Sequence, residues 1–256
     1  MEEAQQATQV SKSHDYALKA SDNMYSYCGG TGTLHWTNMK TGANFSLTTP
    51  TYHFKHFSSW CALPAQHLCF TGGSLLTEFC SEVVSISVER DFAVTAKPSM
   101  LRQRYCHNSI YSRGYVYVIG GWNDAAMDEC ERFAVSDDAW EALPPLIAKS
   151  QCHTLCMAEE LQRLFVIGGD DGSGDVNIIQ ELSVERLAWR TIPLNTSLCH
   201  CCITSFQIES KCYLIIQSYL FVFDATEAAV QTIKPLPANI ESTYGPSRYS
   251  NGTVFA

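Results

Sequence analysis

The sequence predicts an all-β fold of the propeller class, with blades of four short strands around a central channel. Four Gly-Gly pairs occur at 29–30, 72–73, 120–121 and 168–169, and their first glycines are 43, 48 and 48 residues apart. Each pair ends a short apolar run such as YVYVIGG or LFVIGG, which is typical of a buried strand that stops where the backbone needs glycine. Helical periodicity is poor throughout the chain.

The rest of the unit repeats as well. Trp140 follows Gly120 by 20 residues, and Trp189 follows Gly168 by 21 residues. A strand-like run precedes each tryptophan and a proline-bearing segment follows it, as in MDECERFAVS and EALPPL. Each unit therefore predicts four strands joined by turns, and a period of 40–50 residues indicates propeller blades.

The chain is thus divided into a polar segment, 1–12, and one propeller domain, 13–256. Five repeats are recognisable, and we expect them near 13–50, 57–98, 104–146, 149–193 and 199–234. Residues 247–256 resemble the first strand of a sixth repeat. This extra strand either closes the ring by joining the first repeat, or it begins a blade that a longer chain would complete. The segment from His14 to Leu18, which supplies a first strand for the first repeat, favours the second alternative.

Composition and charge argue against several classes of function. The net charge of −9 argues against nucleic acid as a partner, because phosphate binding needs clustered Lys and Arg. The longest apolar stretch, 214–223, is too short to span a membrane. The first ten residues, MEEAQQATQV, lack the basic and apolar regions of a secretory leader, so the twelve cysteines are predicted to be reduced thiols in the cytoplasm.

The combined pattern resembles the kelch repeat, in which the second strand of each blade ends in Gly-Gly and a tryptophan follows at a fixed distance. The copies at 104–146 and 149–193 match best, and the resemblance covers nearly the whole chain. It implies that the first strand of each blade lines the channel. It also implies a non-catalytic protein–protein interaction module, used as the substrate-recognition part of a ubiquitin ligase or as a cytoskeletal scaffold.

The cysteine-rich stretch LCHCC, 198–202, suggests a metal site at first sight. However, Cys-His also occurs at 106–107 and 152–153, and these pairs and Cys199-His200 are 46 and 47 residues apart, which is the repeat period. Adjacent strand residues point to opposite faces, whereas zinc needs four tetrahedral ligands. We therefore predict that LCHCC belongs to the scaffold, and that the chain binds no metal and no cofactor.

Nucleotide-binding, serine-hydrolase and zinc-protease motifs are absent from the sequence. The glycine-rich segment 168–175 carries aspartates that would repel phosphate, and it lacks the spacing of a calcium loop. One enzymatic alternative stays open. The channel residues His107, His153 and Arg104 would suit a small-molecule isomerase, since the mouth of a channel is a natural pocket.

Protein binding is the leading prediction. The turns between strands two and three and the segments between blades fall on one face of a propeller. Apolar anchors among polar neighbours are typical of interface hot spots, paired arginines suit a carboxylate, and the acidic turn suits a basic peptide. The predicted partner-binding residues are Trp122, Met127, Tyr52, Phe54, Arg102, Arg104, Asp170 and Asp171.

Overall fold

All regular secondary structure in the described part of the protein is β-strand. The computed structural model describes residues 23–28, 33–38, 40–48, 52–75, 78–88, 92–194, 204–208, 210–216, 219–235, 248–250 and 253–255. Within these ranges no helix could span a membrane.

The strands form antiparallel sheets that follow one another along the chain. Blade 1 contains β1 (Asn23–Cys28), β2 (Thr33–Asn38) and β3 (Asn44–Thr48). Blade 2 contains β4 (Ser59–Leu63), β5 (His67–Thr71), β8 (Val83–Ser87) and β9 (Ala93–Lys97), with a small hairpin of β6 (Ser74–Leu75) and β7 (Glu78–Phe79) after its second strand.

The next two blades contain the best-matching repeats. Blade 3 contains β10 (Asn108–Ser112), β11 (Tyr115–Ile119), β12 (Cys130–Ala134) and β13 (Ala139–Leu143). Blade 4 contains β14 (Thr154–Ala158), β15 (Arg163–Ile167), β16 (Ile178–Ser183) and β17 (Ala188–Pro193).

The last blade is followed by a short hairpin. Blade 5 contains β18 (Thr204–Ile208), β19 (Lys211–Ile216), β20 (Tyr219–Asp224) and β21 (Ala229–Pro235). The C-terminal hairpin is formed by β22 (Arg248–Ser250) and β23 (Thr253–Phe255). In this hairpin β22 lies beside β18 and β23 lies beside β1, so the hairpin occupies the gap between blades 5 and 1.

The prediction of four strands in each of five repeats is confirmed for four blades. Blades 2 to 5 are four-stranded sheets, whereas the sheet of blade 1 has three strands in the described part of the chain. Strand β1 directly precedes Gly29-Gly30 and is therefore equivalent to the second strand of the other blades. The expected first strand near His14 lies outside the described residues.

The hydrophobic core is divided into layers between neighbouring blades. Strand β11 shows why its apolar run is continuous: Tyr117 and Ile119 pack in the cluster shared with blade 4, while Val116 and Val118 pack in the cluster shared with blade 2. Successive side chains of a strand point to opposite faces, and both faces of this blade are covered. Similar layers join blades 1 and 2 and blades 4 and 5.

The double glycines are required because neighbouring blades approach closely at the end of the second strand. Gly120 and Gly121 have φ values of +52° and +108°, a region that L side chains rarely adopt. A Cβ on Gly120 would lie 2.3 Å from the carbonyl oxygen of Ser150, which belongs to the segment entering blade 4. A Cβ on Gly121 would lie 2.8 Å from Cβ of His107 in its own blade.

The spaced tryptophans and prolines also join blades. The indole Nε1 of Trp140 donates to the carbonyl oxygen of Pro98 at 2.8 Å, and that of Trp189 donates to the carbonyl oxygen of Pro144 at 2.8 Å. Each tryptophan is on the outermost strand of its blade, and each proline follows the outermost strand of the preceding blade. The residues that repeat in the sequence therefore include those that join neighbouring blades as well as those that form the strands within a blade.

Candidate interaction face

The segments that enter the blades and the turns after the double glycines lie at the same end of the molecule. In blade 3 the backbones of Tyr105 and Trp122 pair, with nitrogen–oxygen distances of 3.1 and 2.8 Å. Gln151 pairs with Asp170 in the same way in blade 4, and His56 pairs with Ser74 in blade 2. We call this end of the propeller the loop face. The opposite end carries the hairpin turns after the first and third strands.

The loop face contains most of the exposed apolar surface in the part of the chain that the structure describes. Six large apolar side chains are exposed among the described residues, and only Leu161, in a turn of blade 4, is at the opposite end. The five on the loop face are Phe57, Leu75, Leu101, Ile147 and Tyr219. Phe57, Leu101 and Ile147 have exposed fractions of 54%, 54% and 57%, which are large for side chains of this kind.

Leu101 and Ile147 are at equivalent positions, 46 residues apart, in the segments that enter blades 3 and 4. Each follows a buried apolar neighbour, Met100 or Leu146, so one side chain of each pair packs inward and the other faces solvent. The prediction covered the segments with Phe57 and Leu101 but selected other side chains as anchors. An apolar residue repeated at the period, directly after a core residue, is the pattern that would have identified Leu101 and Ile147.

Three residues predicted to be exposed apolar anchors are in fact buried, so the prediction is wrong for them. Tyr52 and Phe54 are 6% and 0% exposed, and they pack in the core between blades 1 and 2. The rings of Phe54 and Phe70 meet edge-on, 5.0 Å apart. Met127 is also buried, and its backbone bonds Gly121 and Ser150. These side chains are taken up by contacts between blades, so a partner cannot reach them.

Arg104 must be corrected for the same reason. It is fully buried, and its guanidinium donates to the carbonyl oxygens of Gly120 and Glu129 and to Oε1 of Glu131, each at 2.7 Å. The other oxygen of Glu131 accepts from the backbone N–H of Leu101 at 2.7 Å. Burial lowers the pKa of Arg104 and raises the pKa of Glu131, although each charge opposes the shift of the other. Arg102, by contrast, is exposed.

Trp122 is half-buried because the turns of blades 3 and 4 touch. Its backbone pairs with Tyr105 and with Ala126. A Cβ on Gly172 would lie 3.5 Å from the indole ring, which is ordinary van der Waals contact, so the acidic turn of blade 4 lies beside the tryptophan. The two turns therefore form one continuous surface.

The acidic turn 170–175 is held by its own carboxylates. Oδ1 of Asp170 accepts from the N–H of Gly172 at 2.7 Å, and Oδ1 of Asp171 accepts from the N–H and the hydroxyl of Ser173, both at 2.7 Å. The hydrogen bonds from Ser173 lower the pKa of Asp171. Asp171 is exposed and Asp170 is half-buried, while Asp124 and Asp175 add exposed negative charge nearby. This part of the loop face is acidic.

The channel histidines are buried. His107 and His153 are 5% and 3% exposed, and Nε2 of His107 lies 2.8 Å from the hydroxyl of Thr71. Burial lowers the pKa of His153 to about 4, so its imidazole is neutral. With Arg104 also buried, the three residues of the isomerase alternative lie in the wall of the propeller. The LCHCC stretch lies outside the described residues, and within them no three His, Cys, Asp or Glu residues form a candidate metal site.

Comparison with models of protein families gives a match in blade 3. Residues 103–147, which form blade 3 and its entering segment, match the family model of the Kelch motif. No curated protein matches the chain. The four-stranded sheets arranged in a ring, with the repeated Gly-Gly and tryptophan contacts between blades, show a β-propeller, and its third blade carries a Kelch motif.

Proposed function

We propose that this propeller is a non-catalytic protein-interaction module that binds a protein partner through the loop face. The observation that supports this most is the uneven distribution of exposed apolar side chains among the described residues, five of six on one face. Large exposed apolar groups amid polar neighbours are typical of protein-binding surfaces. Kelch motifs in propellers are generally associated with protein interactions, which agrees with this assignment.

The partner should combine apolar and basic groups. Phe57, Leu101 and Ile147 would contact apolar side chains of the partner, and the carboxylates of Asp124 and Asp171 would contact Lys or Arg. Complementary charge mainly increases the rate of association and the specificity of binding. Of the predicted site residues, Trp122, Arg102, Asp170 and Asp171 remain in the proposal, because they are exposed or half-buried on this face.

The kelch resemblance extends the proposal to two cellular roles in the cytoplasm, substrate recognition for a ubiquitin ligase or a cytoskeletal scaffold. The identity of the captured partner distinguishes them. A ligase substrate would accumulate when the propeller is removed, whereas a cytoskeletal partner would bind without a change in abundance.

The test is affinity capture from the source cell with three baits. The full chain is compared with a Leu101→Ser/Ile147→Ser variant of the loop face and with Leu161→Ser, which changes an exposed leucine at the opposite end. Circular dichroism and thermal melting confirm that all three are folded. We expect a partner that is retained by the full chain and by Leu161→Ser and is at least tenfold depleted with the double variant.

A partner retained equally by all three baits would contradict the assignment to the loop face. The isomerase alternative would then be tested by turnover of a sugar-acid panel, with loss of turnover in His107→Ala.

The contribution of the acidic turn can be tested with salt and with charge removal. Raising the ionic strength should slow association of the partner, and so should the variant Asp124→Asn/Asp171→Asn, because both weaken attraction to a basic partner.

A further inference from the structure

The entering segments of successive blades are joined by backbone hydrogen bonds at one repeated position. The N–H of Cys106 donates to the carbonyl oxygen of Phe57 at 3.2 Å, and the N–H of Cys152 donates to that of Cys106 at 2.8 Å. Phe57, Cys106 and Cys152 have φ values of +53°, +53° and +52°. Left-handed backbone at residues other than glycine is uncommon, so these are three copies of one structural position.

This position brings the thiols of Cys106 and Cys152 together. The neighbouring thiol of Cys106 and burial both raise the pKa of Cys152. Because N–H···O at 2.8 Å joins the two residues, standard bond lengths keep their Cα atoms within about 6.7 Å of each other. Disulfides span roughly 4.4–6.8 Å between Cα atoms, so the Cα separation of this pair is compatible with a bridge.

Cys106 and Cys152 are more exposed than the other thiol pairs in the described residues. Cys61 contacts Cys69 across β4 and β5, but both side chains are buried. Cys156 and Cys212 are likewise in contact and buried between blades 4 and 5. Cys106 and Cys152 are each only partly buried, at the inner edge of the loop face. Oxidation of a thiol depends on its exposure, so this pair should react before the two buried pairs.

We propose that Cys106 and Cys152 form a dithiol modification site that hydrogen peroxide converts to a disulfide between blades 3 and 4. The sulfur of Cys106 attacks one peroxide oxygen as a thiolate, the O–O bond breaks, and the leaving hydroxide takes a proton to become water. The sulfur of Cys152 then attacks the sulfenic acid on Cys106, the S–O bond breaks, and the proton of Cys152 leaves with the hydroxyl as a second water. Two thiols are oxidised and one peroxide is reduced to two waters.

The surroundings of Cys152 assign it to the second step. The neighbouring thiol of Cys106 and burial raise the pKa of Cys152 and so keep its proton in place, which suits the resolving step. Asp170, in the acidic turn, contributes to the same effect on Cys152. The bridge would join the entering segments of the two blades whose turns form the continuous part of the loop face.

The test uses the full chain, reduced and freed of reductant, then exposed to increasing hydrogen peroxide at neutral pH. Free thiols are blocked by alkylation, and the products of a non-reducing digestion are mapped by mass spectrometry. We expect a linked Cys106–Cys152 peptide to appear at the lowest doses and to disappear on addition of reductant. Cys61, Cys69, Cys156 and Cys212 should remain reduced at those doses.

Two variants test whether the bridge depends on these particular cysteines. Cys152→Ser should abolish the linked peptide and leave Cys106 as a sulfenic acid that a dimedone-type reagent captures. The matched control Cys80→Ser removes another partly buried thiol and should leave the bridge unchanged. The proposal is overturned if both thiols stay free at doses that oxidise Cys80, if Cys152 links instead to a cysteine of 199–202, or if the buried pairs react equally fast. The mapping of the unmodified chain decides this even if a variant does not fold.

Discussion

The segments that enter blades 3 and 4 have the same geometry but different chemistry. The N–H of Gly73 donates to the carbonyl of Arg104, and the N–H of Gly121 donates to that of Ser150, both at 2.9 Å. The side chains of Arg104 and Ser150 then bind the carbonyl oxygens of Gly120 and Gly168, at 2.7 and 3.1 Å. The backbone contacts are therefore equivalent, although one residue is charged and the other is a small hydroxyl.

A second hydrogen-bonding side chain that holds each entering segment shows the same contrast between charged and neutral groups. Glu131 accepts from the N–H of Leu101 in blade 3, whereas Gln180 accepts from the N–H of Ala148 at 2.8 Å and donates to its carbonyl at 2.9 Å in blade 4. A buried ion pair thus does in one blade what neutral groups do in the next. Since burial dominates the pKa shifts of both Arg104 and Glu131, we infer that the ion pair adds little net stability over a neutral substitute.

The largest expected effect comes from removing one half of the ion pair. Glu131→Gln keeps the shape but leaves Arg104 buried without its counter-charge, which should cost about 3–5 kcal/mol of unfolding free energy. The double variant Arg104→Ser/Glu131→Gln gives blade 3 the chemistry of blade 4 and should recover most of that loss. Urea denaturation measures both. Additive losses in the double variant would show that the two segments are not interchangeable.

The backbone contacts predict equal effects at the two segments. Gly72→Ala places a Cβ 2.5 Å from the carbonyl oxygen of Arg104, and Gly120→Ala places one 2.3 Å from that of Ser150. Each should cost roughly 2–4 kcal/mol from backbone strain and overpacking. Gly114→Ala is the matched control, because its φ is +91° but no atom lies within 4 Å of the added Cβ. Chemical denaturation that ranks Gly114→Ala level with the other two would exclude close approach as the cause.

Acid should destabilise the folded protein through His153 in blade 4. The pKa of His153 is lowered to about 4 by burial, so the folded protein binds a proton less readily than the unfolded chain does. Its contribution is fully present above about pH 6.5 and is lost as the pH falls toward 4, by about 3 kcal/mol in total. Thermal melts between pH 7 and 4 should show a shallower decline for His153→Leu than for the unmodified chain. Parallel curves would contradict the assignment.

Ser150→Ala should have the smallest effect. It removes one neutral hydrogen bond to the carbonyl of Gly168, which should cost about 1 kcal/mol. Urea denaturation measures the loss of unfolding free energy in both Ser150→Ala and Glu131→Gln. Equal losses would contradict the proposed difference between the charged and the neutral segment.

The repeat was predictable from sequence because its residues meet strict backbone demands. Gly120, Gly121 and Trp140 occupy positions where a close approach or a specific hydrogen bond admits few alternatives, so their spacing identifies the blade. The face was harder to predict, because the burial of a loop residue depends on the neighbouring blade. Phe54 is covered by blade 2 and Arg104 by Glu131, which spacing alone does not indicate.

Blade 1 shows a further limit. Its glycines at 29–30 matched the period, yet its sheet has three strands in the described residues, with β23 beside β1. A strand contributed from the far end of the chain leaves no trace in the local repeat pattern.

The most direct test of the central claim is site-specific photo-crosslinking of the captured partner. A photoreactive amino acid is placed at Ile147 on the loop face or at Leu161 at the opposite end, both of them exposed positions in or next to blade 4. Our account predicts a crosslinked partner from position 147 and none from position 161. Crosslinking from position 161 alone would place the partner at the other end of the propeller and contradict the account.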